Sequence, residues 1–201
     1  MASLQEKNIH KKQIFNKADW SSAYQNVEKE FENKPLLLSK GKIINDLNGT
    51  LFRNGPGILE RNGQWVHHPF DGDGMITAIK FVNGEASLTN KFVKTKGFLE
   101  EQKVDKFIYR GVFGTQKEGG IINNIFNVTL KNIANTHVIK LGNELLALWE
   151  AAGPHALDPN NLETFGLTTL QGVLKENEAF SAHPKIDLNS NSASETLVTF
   201  G

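Results

Sequence analysis

The stretch "ITAIKFVNGEASLTNKFVKT", residues 76–95, constrains this chain more than any other. Apolar and polar residues alternate on both sides of Asn83-Gly84. Both central residues of such a turn take positive φ at low cost, so the segment reads as a tight β-hairpin. A second hairpin, "THVIKLGNELLALWE", bends at Gly142-Asn143. Further strand-like runs are "GTLFRN", "KFIYRGVF", "NVTLKNI" and "ETLVTF". Short strands separated by Gly- and Asn-rich turns are the pattern of an all-β sandwich, barrel or propeller. One helix is expected, near the start. Trp20, Tyr24, Val27 and Phe31 follow helical spacing, with Glu28 and Glu30 turned away, which predicts a short amphipathic surface helix. Residues 1–17 read as a polar N-terminal arm, and residues 18–201 as one β domain.

Composition narrows the chemistry. The 201 residues carry 22 Lys plus Arg and 22 Asp plus Glu, so the formal net charge is zero. A neutral chain without a dense basic block has no general pull toward nucleic-acid phosphates. There is no cysteine, which excludes disulfides, thiolate metal sites and a cysteine nucleophile. Any metal must therefore be held by histidine nitrogen or by oxygen. The opening "MASLQEKNIHKKQ" lacks the apolar run of a secretory signal, and "PLLL" and "LLALW" are too short to span a bilayer. The chain reads as soluble, and the expected location is cytoplasmic.

Candidate ligands are few. The six histidines are His10, His67, His68, His137, His155 and His183. None forms an H-E-x-x-H or H-x-x-x-H pair, and taken singly each reads as a surface or hydrogen-bonded residue. In "HHPFDGDG", Asp71 and Asp73 lack the further acidic positions of a calcium loop. They read instead as turn residues whose carboxylates accept from backbone amides. Glu150 follows an apolar strand directly after Trp149. Either it marks the point where the strand meets water, or it accepts a hydrogen bond from a metal-bound imidazole.

Several ordered motifs then act together. "GTLFRNGPGILERNGQWVHHPFDGDGMITAIKFVNGEASLTNKFVKT", "RGVFGTQKEGG", "KNIANTHVIKLGNELLALWEAAGPHALDPNNLETFG" and "FSAHPKID" resemble, in that order, the carotenoid cleavage oxygenases. This is the retinal pigment epithelial membrane protein family, and the style is nearest its cyanobacterial members that act on apocarotenoids. The resemblance runs from about residue 35 onward; the family's usual proline in the segment "GKIINDLNG" is replaced by Ile44. It implies a seven-bladed β-propeller with Fe(2+) on its axis, held by four histidines. It implies cleavage of a conjugated double bond of a carotenoid or apocarotenoid with O2, giving aldehydes such as a retinal-type product, and peripheral membrane contact in the complete protein. By motif, His183 of "FSAHPKID" is the first iron ligand. Glu150 of "LWEA" is a carboxylate partner of an iron-bound histidine, and Thr136 of "ANTH" lies near the vacant coordination position. His67, His68, His137 and His155 match no ligand position. Three further histidines are expected beyond Gly201, so this chain is expected to be an incomplete, inactive N-terminal portion. The alternatives are a short non-catalytic protein that binds a carotenoid or a partner, and a half-enzyme completed by a separately encoded C-terminal half.

Overall fold

The computed structural model describes residues 24–115, 130–187 and 196–200. These fold mostly as β-sheet, with one α-helix. The strands, in chain order, are β1 Phe31–Pro35, β2 Gly49–Ile58, β3 Glu60–Arg61, β4 Gln64–Trp65, β5 Asp73–Val82, β6 Glu85–Phe92, β7 His137–Leu141, β8 Glu144–Leu148, β9 His155–Leu157, β10 Thr164–Leu167, β11 Lys185–Asp187 and β12 Thr196–Val198. The helix α1 spans Lys96–Val104, between β6 and β7.

Two antiparallel four-stranded sheets carry the structure, ordered β1-β6-β5-β2 and β10-β9-β8-β7. The Asn-Gly hairpin forms as its sequence requires. Val82 pairs with Glu85, and Asn83 (φ 50) and Gly84 (φ 81) both turn left-handed between them. The second hairpin pairs His137 with Leu148 and Leu141 with Glu144. Along β8, Leu145 and Ala147 join a core with Ile76, Ala78 and Val138 that spans both sheets. Leu146 and Leu148 point the other way, against Ala156 and Phe180. Side chains alternate across a strand, so the unbroken apolar run of β8 reports a sheet covered on both faces.

Three sequence expectations change. The helix proposed over Trp20–Phe31 does not form in its described part: residues 24–30 have no regular secondary structure, and Phe31 opens β1. Trp20 and the polar arm 1–17, with His10, lie outside the described residues. Tertiary bonds explain the outcome. Val27 N donates to Gly57 O, the Asn26 carboxamide bonds the backbone of Leu59 and Glu60, and Glu30 accepts from Phe92 N. Long-range partners outweigh a weak helical preference. "KFIYRGVF" is not a strand either. It loops around two carboxylates, with Ile108 N and Tyr109 N donating to Glu101 and Phe113 N to Asp71. In "NVTLKNI" the described residues 130–133 form only an isolated bridge, Leu130 to Arg110.

The helix α1 was not anticipated. Thr95 caps it by accepting from Phe98 N, and Asp105 ends it in the left-handed region at φ 49. Its inner face carries the fully buried Glu101. There Lys131 Nζ lies 2.5 Å from Glu101 Oε2 and 2.6 Å from Asp73 Oδ1. Arg61 lies 3.0 Å from the other oxygen of Asp73. Two cations and two carboxylates thus neutralise one another inside the protein, tying α1 to β3, β5 and the segment before β7. No helix among the described residues is long and apolar enough to cross a membrane.

Candidate metal centre

Three separate segments meet at one end of the second sheet. Thr136 immediately precedes β7, and Glu150 lies two residues past β8. Because His137 pairs with Leu148, the antiparallel register brings both residues to the open end of one hairpin. Thr136 N donates to Leu148 O at 3.1 Å, and Thr136 Oγ1 donates to Glu150 Oε2 at 3.2 Å. The third segment is "FSAHPKID". Phe180 anchors it, packing in the core beside Leu146, Leu148 and Ala156. Ala182 and Pro184 are buried as well, while the intervening His183 is exposed. This alternation aims the imidazole outward. His183 Nε2 lies 3.8 Å from Glu150 Oε1, and the ring sits 5.9 Å from that of His137.

The side chains of His183 and Glu150 are 67% and 57% exposed, so water screens their attraction and the pair adds little stability. His137 differs. Burial lowers its pKa, and the neighbouring His183 and Lys185 push in the same direction, so the ring is held neutral. The donor chemistry suits a divalent first-row metal, because neutral imidazole is a good ligand for iron. The donor set is incomplete, however. Among the described residues no group of three or more His, Asp or Glu side chains is arranged to hold a metal ion. Among the described residues, the imidazole and carboxylate brought together here could supply at most part of a metal's ligand set.

The other candidates take structural places. His68 caps the 3-10 turn Pro69–Asp71, its Nδ1 accepting from Phe70 N at 3.1 Å. His67 N donates to Thr115 Oγ1 at 2.8 Å. Asp71 is buried and accepts from Phe113 N, Thr115 N and the Thr115 hydroxyl, as expected of a turn carboxylate, though the amides belong to a distant loop. Asp73 departs from that expectation, since its carboxylate belongs to the buried ion network. His155 is buried, and desolvation lowers its pKa to about 4. One neighbour escaped sequence reasoning altogether: Asn135, buried beside Thr136. Only its place in "ANTH" could have drawn attention to it.

The fold and the paired hairpin define a β-rich protein with a partial imidazole–carboxylate site at one sheet end. A family profile described as "Retinal pigment epithelial membrane protein" matches residues 24–201, and the chain belongs to that family. It is 51% identical over 170 residues to the apocarotenoid-15,15'-oxygenase of Synechocystis, an alignment covering 84% of this chain and 34% of the relative. It is 34% identical over 145 residues to the chloroplastic carotenoid cleavage dioxygenase 7 of Oryza sativa, covering 69% of this chain and 24% of that protein. The crystal structure of cobalt-substituted Synechocystis apocarotenoid oxygenase superposes with a TM-score of 0.82 at 49% identity, over 90% of this chain and 38% of the other. This chain therefore spans between about a quarter and two fifths of the length of these relatives.

Proposed function

We propose that this chain is the N-terminal portion of an iron-dependent oxygenase that cleaves a conjugated double bond of an apocarotenoid. In this reading residues 18–201 belong to one seven-bladed propeller and residues 1–17 form an arm. His183 is the first of four histidine ligands to Fe(2+), and the other three come from sequence outside these 201 residues, whether continuous with it or encoded separately. When bound, the iron supplies the activation of O2, and the products are aldehydes. The observation that carries the reading is the convergence of His183, Glu150 and Thr136 from three segments at one sheet end. It agrees with relatives named for cleaving carotenoids and apocarotenoids, and with a relative that accepts cobalt.

Each residue has a definable task. Glu150 orients an imidazole and raises its basicity, as carboxylates beside metal ligands do. Thr136 places a small branched side chain against the open side of the centre and is itself held by Glu150. His137, neutral through burial, adds no charge beside His183. A polyene needs apolar walls. Phe70 and Phe113 stand exposed in mutual edge contact, 5.5 Å apart, with His68 packed on both. This exposed aromatic cluster is an apolar surface of the kind that a polyene, or a membrane face in the complete protein, would meet.

The test is oxygen-dependent cleavage of an apocarotenal. The isolated 201-residue chain should be inactive, and the complete protein active. Turnover by the isolated chain would refute the division of the ligands. A complete protein that binds apocarotenals without cleaving them would favour a carotenoid-binding role.

A further inference from the structure

The segment carrying Thr136 is held from three sides. Gly74 N donates to Ile133 O at 2.8 Å, and a Cβ at Gly74 would stand 2.3 Å from Ala134 O, so only glycine admits this approach. Asn54 Nδ2 donates to Ala134 O and to His137 O, both at 2.9 Å. The third hold is the side chain of Asn135, which is 7% exposed. Its Nδ2 donates to Phe70 O at 3.0 Å and to Gly72 O at 2.7 Å, both in the "FDGDG" turn. Two carbonyl acceptors fix which end of the carboxamide is nitrogen, since the flipped amide would set oxygen against oxygen. Oδ1 is therefore directed to the other side, 3.4 Å from Thr136 Oγ1. The Thr136 hydroxyl has one proton, and Glu150 Oε2 is the nearer acceptor at 3.2 Å, so the 3.4 Å approach of Asn135 Oδ1 is a contact beside it and not a second bond. What Asn135 holds is the backbone that carries Thr136.

We propose that Asn135 is a positioning residue: anchored on the Phe70 and Gly72 carbonyls, it fixes the backbone at Thr136 and thereby sets the threonine side chain against Glu150. The "FDGDG" motif then does more than turn the chain. It is the platform on which one wall of the candidate centre is set. The inference deepens the oxygenase reading, on which its effect on turnover rests; the orientation of Thr136 itself needs neither iron nor substrate.

The test has two arms. In the isotopically labelled 201-residue chain, three-bond couplings to the Thr136 methyl report its χ1 rotamer. They should show one rotamer in the wild type and averaging in Asn135→Ala and Asn135→Asp, both of which lose the carboxamide donors. A single unchanged rotamer in either folded variant overturns the proposal. So does unfolding of both variants, because the residue would then hold the fold and not the threonine. In the complete oxygenase, Asn135→Ala should lower kcat about 10–100-fold with KM within about twofold, and should add little to the loss caused by Thr136→Ala. Fully additive losses overturn the claim that Asn135 acts through Thr136. If the rotamers respond as expected while the wild-type complete protein cleaves no apocarotenal, the oxygenase reading fails and the positioning stands.

Discussion

At the scale of single residues, the site is a matter of direction more than of strength. His183 and Glu150 are too exposed for their attraction to matter on its own, and their use lies in where they point. In the complete protein, Glu150→Gln should leave iron bound and lower turnover about 10–100-fold, read by metal analysis beside steady-state kinetics. His155 belongs to a different problem. Burial lowers its pKa to about 4, whereas an unfolded chain leaves it near the ordinary 6.5. The unfolded state thus binds more protons in that window, and this contribution to stability is complete above pH 6.5 and lost as pH falls toward 4. Denaturant unfolding should show about 2 kcal/mol of it gone between pH 7 and pH 5. His155→Gln should flatten that slope, and an unchanged slope would show the ring to be charged when folded. Sequence alone identified none of these residues firmly. His183 reads singly as a surface residue, and Glu150 leaves two readings open, until the motifs around them are taken in order. The distances that join them cross more than thirty positions of sequence, which local patterning cannot register.

At the scale of elements, legibility followed periodicity. The two hairpins were plain because their turns demand Asn and Gly, and because the alternation on either side leaves one register. The described part of the expected helix, residues 24–31, is not helical because Val27 and Glu30 find partners in the first sheet and Asn26 on Leu59 and Glu60. The unexpected helix α1 was hidden because its inner face carries a charge, Glu101, where an apolar residue is expected. That charge is tolerable only beside Lys131 and Arg61, which arrive from other elements. Removing one partner of such a group strands a buried charge, so Lys131→Ala should destabilise the chain by about 3–5 kcal/mol in urea unfolding. Lys131→Met with Glu101→Gln should recover part of the loss. A change below about 1 kcal/mol for Lys131→Ala would show the network to be wetter than its geometry implies. The turn invites a smaller test. Gly84→Ala should cost about 1 kcal/mol or more, because φ 81 is strained for alanine and the new Cβ meets the Asn45 side chain at 2.7 Å.

At the scale of the whole molecule, the chain spans between about a quarter and two fifths of the length of the relatives it matches, and on the proposed reading His183 and Glu150 are its share of the metal centre. The outer strand β10 shows Phe165 and Leu167 to solvent, and Phe200 follows β12 almost fully exposed. Exposed apolar side chains on an edge strand are a surface open to pairing or packing with another segment. The central claim is that His183 contributes one iron ligand and the rest of the centre comes from outside these residues. Metal analysis of purified protein tests it directly. The 201-residue chain should hold far less than one iron per molecule, the complete protein close to one, and the complete protein with His183→Ala again far less. Stoichiometric iron retained after His183→Ala would contradict the account.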